Sequence, residues 1–74
     1  MDKNFSEDLS AVDLRDYYHS LKKSNKGNLL HYIMDRFGMA YTTLINKFAG
    51  RLEMSKADIV LINLAIKDES LWKK

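Results

Sequence analysis

The chain has no cysteine, no proline and only three glycines in 74 residues. The missing cysteines exclude a disulfide framework and any thiolate metal site. Without proline, helices must stop at glycine or through capping chemistry. Two isolated histidines, His19 and His31, have no partner histidine at helical spacing, so surface or half-buried positions are expected and no metal or other cofactor is implied. No segment approaches the ~20 apolar residues that a membrane span needs, so no membrane partner is expected. The first ten residues, MDKNFSEDLS, are acidic and lack the apolar stretch of a signal peptide. A soluble, cytoplasmic protein is the expectation. No serine, histidine or carboxylate arrangement suggests catalysis, so neither enzyme activity nor a small-molecule substrate is expected.

What remains is one small domain. A chain this short buries only about 60% of the surface that its unfolded form exposes. An apolar share of 46% with 30% charged residues is a globular composition. The net charge is +2, unevenly spread. Residues 1–20 hold five acids against two bases (−3), residues 21–56 seven bases against two acids (+5), and residues 57–74 balance. A basic middle points toward a polyanionic partner; a solvated mixed surface is the plainer reading of the same charges.

Four stretches carry residues at i, i+3, i+4, i+7: Leu14/Tyr17/Tyr18/Leu21, Leu30/Ile33/Met34/Phe37, Tyr41/Leu44/Ile45/Phe48 and Ile59/Ile62/Asn63/Ile66. Each set lies on one face of an α-helix, and alternation over strand length is absent. An all-α domain of four to five short helices follows. Ser10 with Asp13 predicts a cap for the first helix, and Ser24 or Asn25 the opening of the second. Gly27, Gly38 and Gly50 fall near expected boundaries, with Gly38 and Gly50 as C-terminal stops. Ser55–Asp58 reads as a capping box for a helix over 55–67. Residues 68–74 are expected to form a tail whose turn returns Leu71 and Trp72 to the core. Residues 1–9 are expected to be frayed, with Phe5 and Leu9 as anchors; Phe5, Tyr17, Tyr18 and Tyr32 read as core or core edge.

The informative stretch is residues 25–50. Two helices joined by a tight glycine turn, the second about three turns long, are the ingredients of a helix-turn-helix. The segment FGMAYTTLINKFAG resembles the Cro and lambda-repressor-like helix-turn-helix family. Ile33, Phe37, Gly38, Met39, Thr43, Leu44 and Gly50 stand in matching places, and the resemblance runs over about residues 25–67. It implies sequence-specific binding of double-stranded DNA in the major groove by a small transcriptional regulator of the phage or mobile-element type. Three positions depart from the pattern. Met34 replaces a small residue at the close helix contact. Leu30 stands where the family has a phosphate-gripping glutamine, which leaves that role to Lys26 or Asn28. Lys47 takes an apolar slot, with Phe48 following it.

By the family pattern, base contacts fall to Ala40, Tyr41, Thr42, Ile45 and Asn46. The helical wheel turns Tyr41, Leu44, Ile45 and Phe48 inward and Thr42, Thr43, Asn46 and Lys47 outward. Thr42 and Asn46 satisfy both, and Asn46 has the amide geometry for a bidentate contact to adenine. Tyr41, Thr43 and Ile45 complete the base-contact set. Tyr41 could instead cap the core or lie on a phosphate. Lys26, Asn28, Lys47, Arg51 and Lys56 are the expected phosphate contacts. In the fourth helix, Val60 and Leu64 lie opposite the Ile59/Ile62/Ile66 face. Either the tail covers them or they pair two copies in a homodimer. The alternative function is a helical protein–protein interaction module that keeps the repressor-like fold without binding DNA.

Overall fold

A computed structural model describes residues 9–74, and all regular structure among them is helical. Helix α1 spans Ala11–Ser20, α2 Lys23–Phe37, α3 Tyr41–Ala49 and α4 Lys56–Lys67, followed by a 3-10 turn, Glu69–Leu71. No described helix is long and apolar enough to cross a membrane. Phe5 and the other residues of the expected frayed segment, apart from Leu9, lie outside the described residues.

Both expected capping boxes form. The Ser10 hydroxyl accepts the backbone N–H of Asp13, whose carboxylate accepts the Ser10 N–H in return. Ser55 and Asp58 repeat the arrangement at α4. Gly38 and Gly50 end α2 and α3 at φ +73° and +87°, the left-handed region that costs a residue with a Cβ about 1–2 kcal/mol. Helix α2 begins at Lys23 with Lys22 as its cap residue, ahead of the expected opening at Ser24 or Asn25, so Asn25 and Gly27 lie inside it. Gly27 therefore marks no boundary.

The core joins Leu14 and Tyr18 of α1, Leu29, Leu30 and Ile33 of α2, Leu44 and Phe48 of α3, Met54 of the α3–α4 connection, Ile62 and Ala65 of α4, and Trp72 of the tail. Helix α2 packs on α3 and α4, and α1 packs on the same two. Tyr18 stacks on Phe48 with ring centroids 4.4 Å apart. Side-chain hydrogen bonds tie the tail down. Trp72 Nε1 donates to the Ala65 carbonyl (2.8 Å), Tyr17 to Glu69 (2.9 Å) and Tyr32 to Asp68 (3.0 Å). Trp72 is buried, whereas Leu71 is 66% exposed, so only half of the expected return to the core takes place.

Two buried asparagines clamp the ends of the described chain. Asn63 in α4 accepts the Leu9 N–H at 2.8 Å and donates to its carbonyl at 3.0 Å. Asn25 does the same for Lys74, at 2.9 Å and 3.4 Å. Each amide offers the donor and acceptor that an extended backbone lacks outside a sheet. Leu9 is thus anchored rather than frayed. The tail does not reach Val60 and Leu64, which stay 53% and 45% exposed.

Candidate nucleic-acid interface

Three residues, Gly38, Met39 and Ala40, join α2 to α3. A short glycine-containing connection of this kind is compatible with a helix-turn-helix. Leu44 and Phe48 are fully buried against Ile33 and the rest of the core, which fixes the rotation of α3 about its axis. Helix α1 and the start of α4 then hold its C-terminal end. Arg15 Nε donates to the Lys47 carbonyl at 2.8 Å, and Arg15 Nη2 to the Leu52 carbonyl at 3.3 Å. His19 Nε2, one turn further along α1, donates to the Phe48 carbonyl at 3.0 Å. The Phe48 carbonyl is among those that a helix leaves unpaired at its C-terminus, the Lys47 carbonyl also accepts the Gly50 N–H, and Leu52 lies just past the helix. Lys47 pairs with Asp58, clamping α3 to the N-terminus of α4. Burial pushes the Asp58 carboxyl upward, but the bonds from Lys47 and from the Ser55 N–H and hydroxyl outweigh it and hold the group below its usual value.

The N-terminal end of α3 carries none of this. Ala40, the cap residue, offers no side-chain acceptor, and no acid stands in the first turn. The first intrahelical bond runs from Leu44 N to Ala40 O, so the N–H groups of Tyr41, Thr42 and Thr43 precede the ladder. Helix α2 begins likewise, with Lys22 as an uncapped start, no acid in its first turn, and Lys23 and Lys26 following. Both ends place positive dipole charge at the protein surface.

Several expected site residues change role. Tyr41 is 52% exposed, in agreement with the family-derived assignment and against the wheel that turned it inward. It is the first residue of α3, and helical side chains lean toward the N-terminus, past the edge of the core. Thr42 is exposed, and Thr43 and Asn46 are half-buried at the helix flank. Ile45 packs against the core, which corrects its assignment to a base. Lys47 does not point outward: its side chain is 15% exposed and its ammonium is engaged by Asp58, so it is no free phosphate ligand. Asn28 lines a shallow depression with His31, Tyr32, Leu71, Trp72 and Lys74, separate from Lys26 and Tyr41. Leu30 itself is buried. Met34, at the expected close contact, is half-buried and packs against the core.

Arg51 and Lys56 are exposed. Arg51 Nη1 donates to Asn46 Oδ1 at 3.2 Å, which fixes the amide and leaves its N–H₂ group facing away from the guanidinium. The surface around α3 therefore offers Tyr41, Thr42, Thr43 and Asn46, flanked by Lys23, Lys26, Arg51 and Lys56. The sequence reading did not assign Arg15, Asp58, Lys23 or Tyr18 to this region. Among the described residues no group of three or more histidine or acidic side chains could hold a metal. The chain matches no protein-family model, no curated protein and no solved structure.

Proposed function

We propose that this protein binds double-stranded DNA, with α3 in the major groove, as a small transcriptional regulator. The observation that carries this reading is the mounting of α3. Its far end is fixed by Arg15, His19 and the Lys47–Asp58 pair, while its N-terminal edge, Tyr41–Thr43, is uncapped and free of acids. A groove-reading helix needs a rigid base and an open N-terminal face, because that face meets the bases and the adjoining phosphates. Lys23, Lys26, Arg51 and Lys56 supply the phosphate contacts, and Thr42 and Asn46 read bases. The two-fold pairing of DNA half-sites through the uncovered Val60 and Leu64 faces belongs to the same proposal.

The test is duplex binding as a function of salt. With roughly four phosphate contacts, log affinity falls with log salt at a slope of about −3.6. A flat salt response, with binding lost in Leu64→Asp instead, favours the protein-interaction reading that the exposed Val60 and Leu64 also support. Sedimentation of wild type and Leu64→Asp measures the pairing directly: the variant is expected to be monomeric where the wild type is dimeric.

A further inference from the structure

Beside the start of α3 lies a depression of about 330 Å³, lined by Tyr18, Lys23, Lys26, Gly27, Leu30, His31 and Tyr41. Its polar lining is unusual in one respect. Tyr18 is 92% buried (8% exposed), yet among the described residues its hydroxyl makes no hydrogen bond. A buried hydroxyl without a partner is destabilising, and native structures rarely keep one without a ligand or an ordered water. The Lys26 ammonium lies 5.7 Å from the centroid of the same ring. Burial, and then the neighbouring Tyr41, raise the Tyr18 pKa above its usual 10.0, so at neutral pH the group is a donor.

Gly27 is the second anomaly. It lies in the interior of α2 with no left-handed φ, and a Cβ there would meet nothing within 4 Å. Neither backbone conformation nor internal packing asks for glycine, although glycine weakens a helix interior relative to any ordinary residue. What glycine does supply is an open helix flank on the depression, where an outside group can approach the backbone. Around that opening stand two hydroxyls and two ammonium groups. An ammonium can only donate, so the set suits an anion with several acceptor oxygens.

We propose that this depression receives one phosphodiester group of a DNA backbone, with Tyr18, Tyr41, Lys23 and Lys26 as its ligands and Gly27 as the opening that lets it approach. The assignment rests on the DNA-binding reading and adds to it a built phosphate site in place of scattered surface charges. It also explains why position 30 can be a buried leucine, because the anion contact lies one turn earlier and reaches across to α1.

The test pairs Tyr18→Phe and Gly27→Leu with wild type, measuring affinity for a mixed-sequence duplex by fluorescence anisotropy at low salt and thermal melting by circular dichroism. Tyr18→Phe removes a hydroxyl that has no partner among the described residues, and Gly27→Leu improves helix propensity in open space. Both variants are expected to melt at or above the wild-type temperature. Both are expected to bind DNA roughly tenfold more weakly, Tyr18→Phe through the loss of about one hydrogen bond to a charged group and Gly27→Leu by closing the opening to the anion. Loss of binding without loss of stability is a result that a purely structural role cannot give. Wild-type affinity in both variants overturns the phosphate site while DNA binding itself stands. Failure of the wild type to bind any duplex overturns both, and a parallel NMR titration with inorganic phosphate then reads the source. Shifts at Tyr18 and Gly27 in that titration would assign the depression to a free anion and not to DNA.

Discussion

Helices α1 and α4 both begin with serine capping boxes closed by an aspartate, whereas α2 and α3 begin without a side-chain cap or an acid in the first turn. The two pairs share one core, in which α1 packs on α3 and α2 packs on α4, while α3 is joined to α4 through the Lys47–Asp58 pair. The contrast therefore separates two uses of a helix end. A cap such as Ser10 or Ser55 satisfies orphan N–H groups internally and contributes about 1 kcal/mol to stability. An uncapped end gives up that contribution and leaves N–H groups and dipole charge available to an anion. In this chain, the helices that brace the motif are capped, and the two that form the motif are open.

Asp58 is where the division can be broken most severely. It closes the α4 capping box and also holds Lys47. Asp58→Ala removes both and leaves a mostly buried ammonium without its partner, so urea denaturation should show a loss of about 2–3 kcal/mol. Thr42→Ala on the open edge should stay within about 0.5 kcal/mol of wild type in the same assay. Equal losses would mean that the two ends do not differ in kind.

Asn46 sharpens the comparison from the other side. Asn46→Ala should weaken a specific DNA site by roughly 1–3 kcal/mol and leave random duplex nearly unaffected. Lys26→Ala should weaken both alike. Titration of the two variants against specific and random duplexes separates base reading from phosphate positioning. Equal losses on both duplexes for Asn46→Ala would remove it from the base-reading set.

How much of this was legible in the sequence follows the range of the interactions. The capping boxes span three residues, the glycine stops act at one, and the helical faces repeat every three to four. All of these were readable, and with them the all-α fold and the two helices joined at Gly38. The devices that orient α3 are long-range. Arg15 reaches the carbonyl of Lys47, 32 positions away, and Asn63 and Asn25 hold backbone 54 and 49 positions away. No periodicity marks such pairs. Lys47 was misread because a wheel gives only the azimuth of a side chain; a long stem can bend to an acid on the next helix. The wheel alone turns Tyr41 inward because it treats the first residue of a helix as though a preceding turn existed to cover it.

An engineered cap offers the next test. Ala40 already has the extended backbone of an N-cap, at φ −75° and ψ 144°. Ala40→Ser and Ala40→Asp should each stabilise the fold by about 1 kcal/mol in chemical denaturation. Their effects on DNA should diverge. Aspartate places a negative charge where phosphate is expected and should reduce duplex affinity, while serine closes one N–H group without adding charge and should reduce it less. A stabilised Ala40→Asp variant with wild-type affinity would show that the open end of α3 does not meet the phosphates.

The smallest expected effect is confined to acid. The Asp58 carboxyl lies below its ordinary value of 3.8 in the folded chain and returns to that value on unfolding. Above about pH 5 it is ionised in both states, and its contribution to stability is complete. As the pH falls through 3.8, the unfolded chain takes up the proton first, so unfolding gains and stability declines. Once the pH has passed below the folded value, both states are protonated and the contribution is gone. Denaturation of wild type and Asp58→Asn across this range should give a steeper acid limb for the wild type, with the two limbs parallel above about pH 5. Parallel limbs throughout would mean that the carboxylate at the head of α4 gains nothing from Lys47 and Ser55 that it lacks in the unfolded chain. The braced end of α3 would then rest on Arg15, His19 and the core alone.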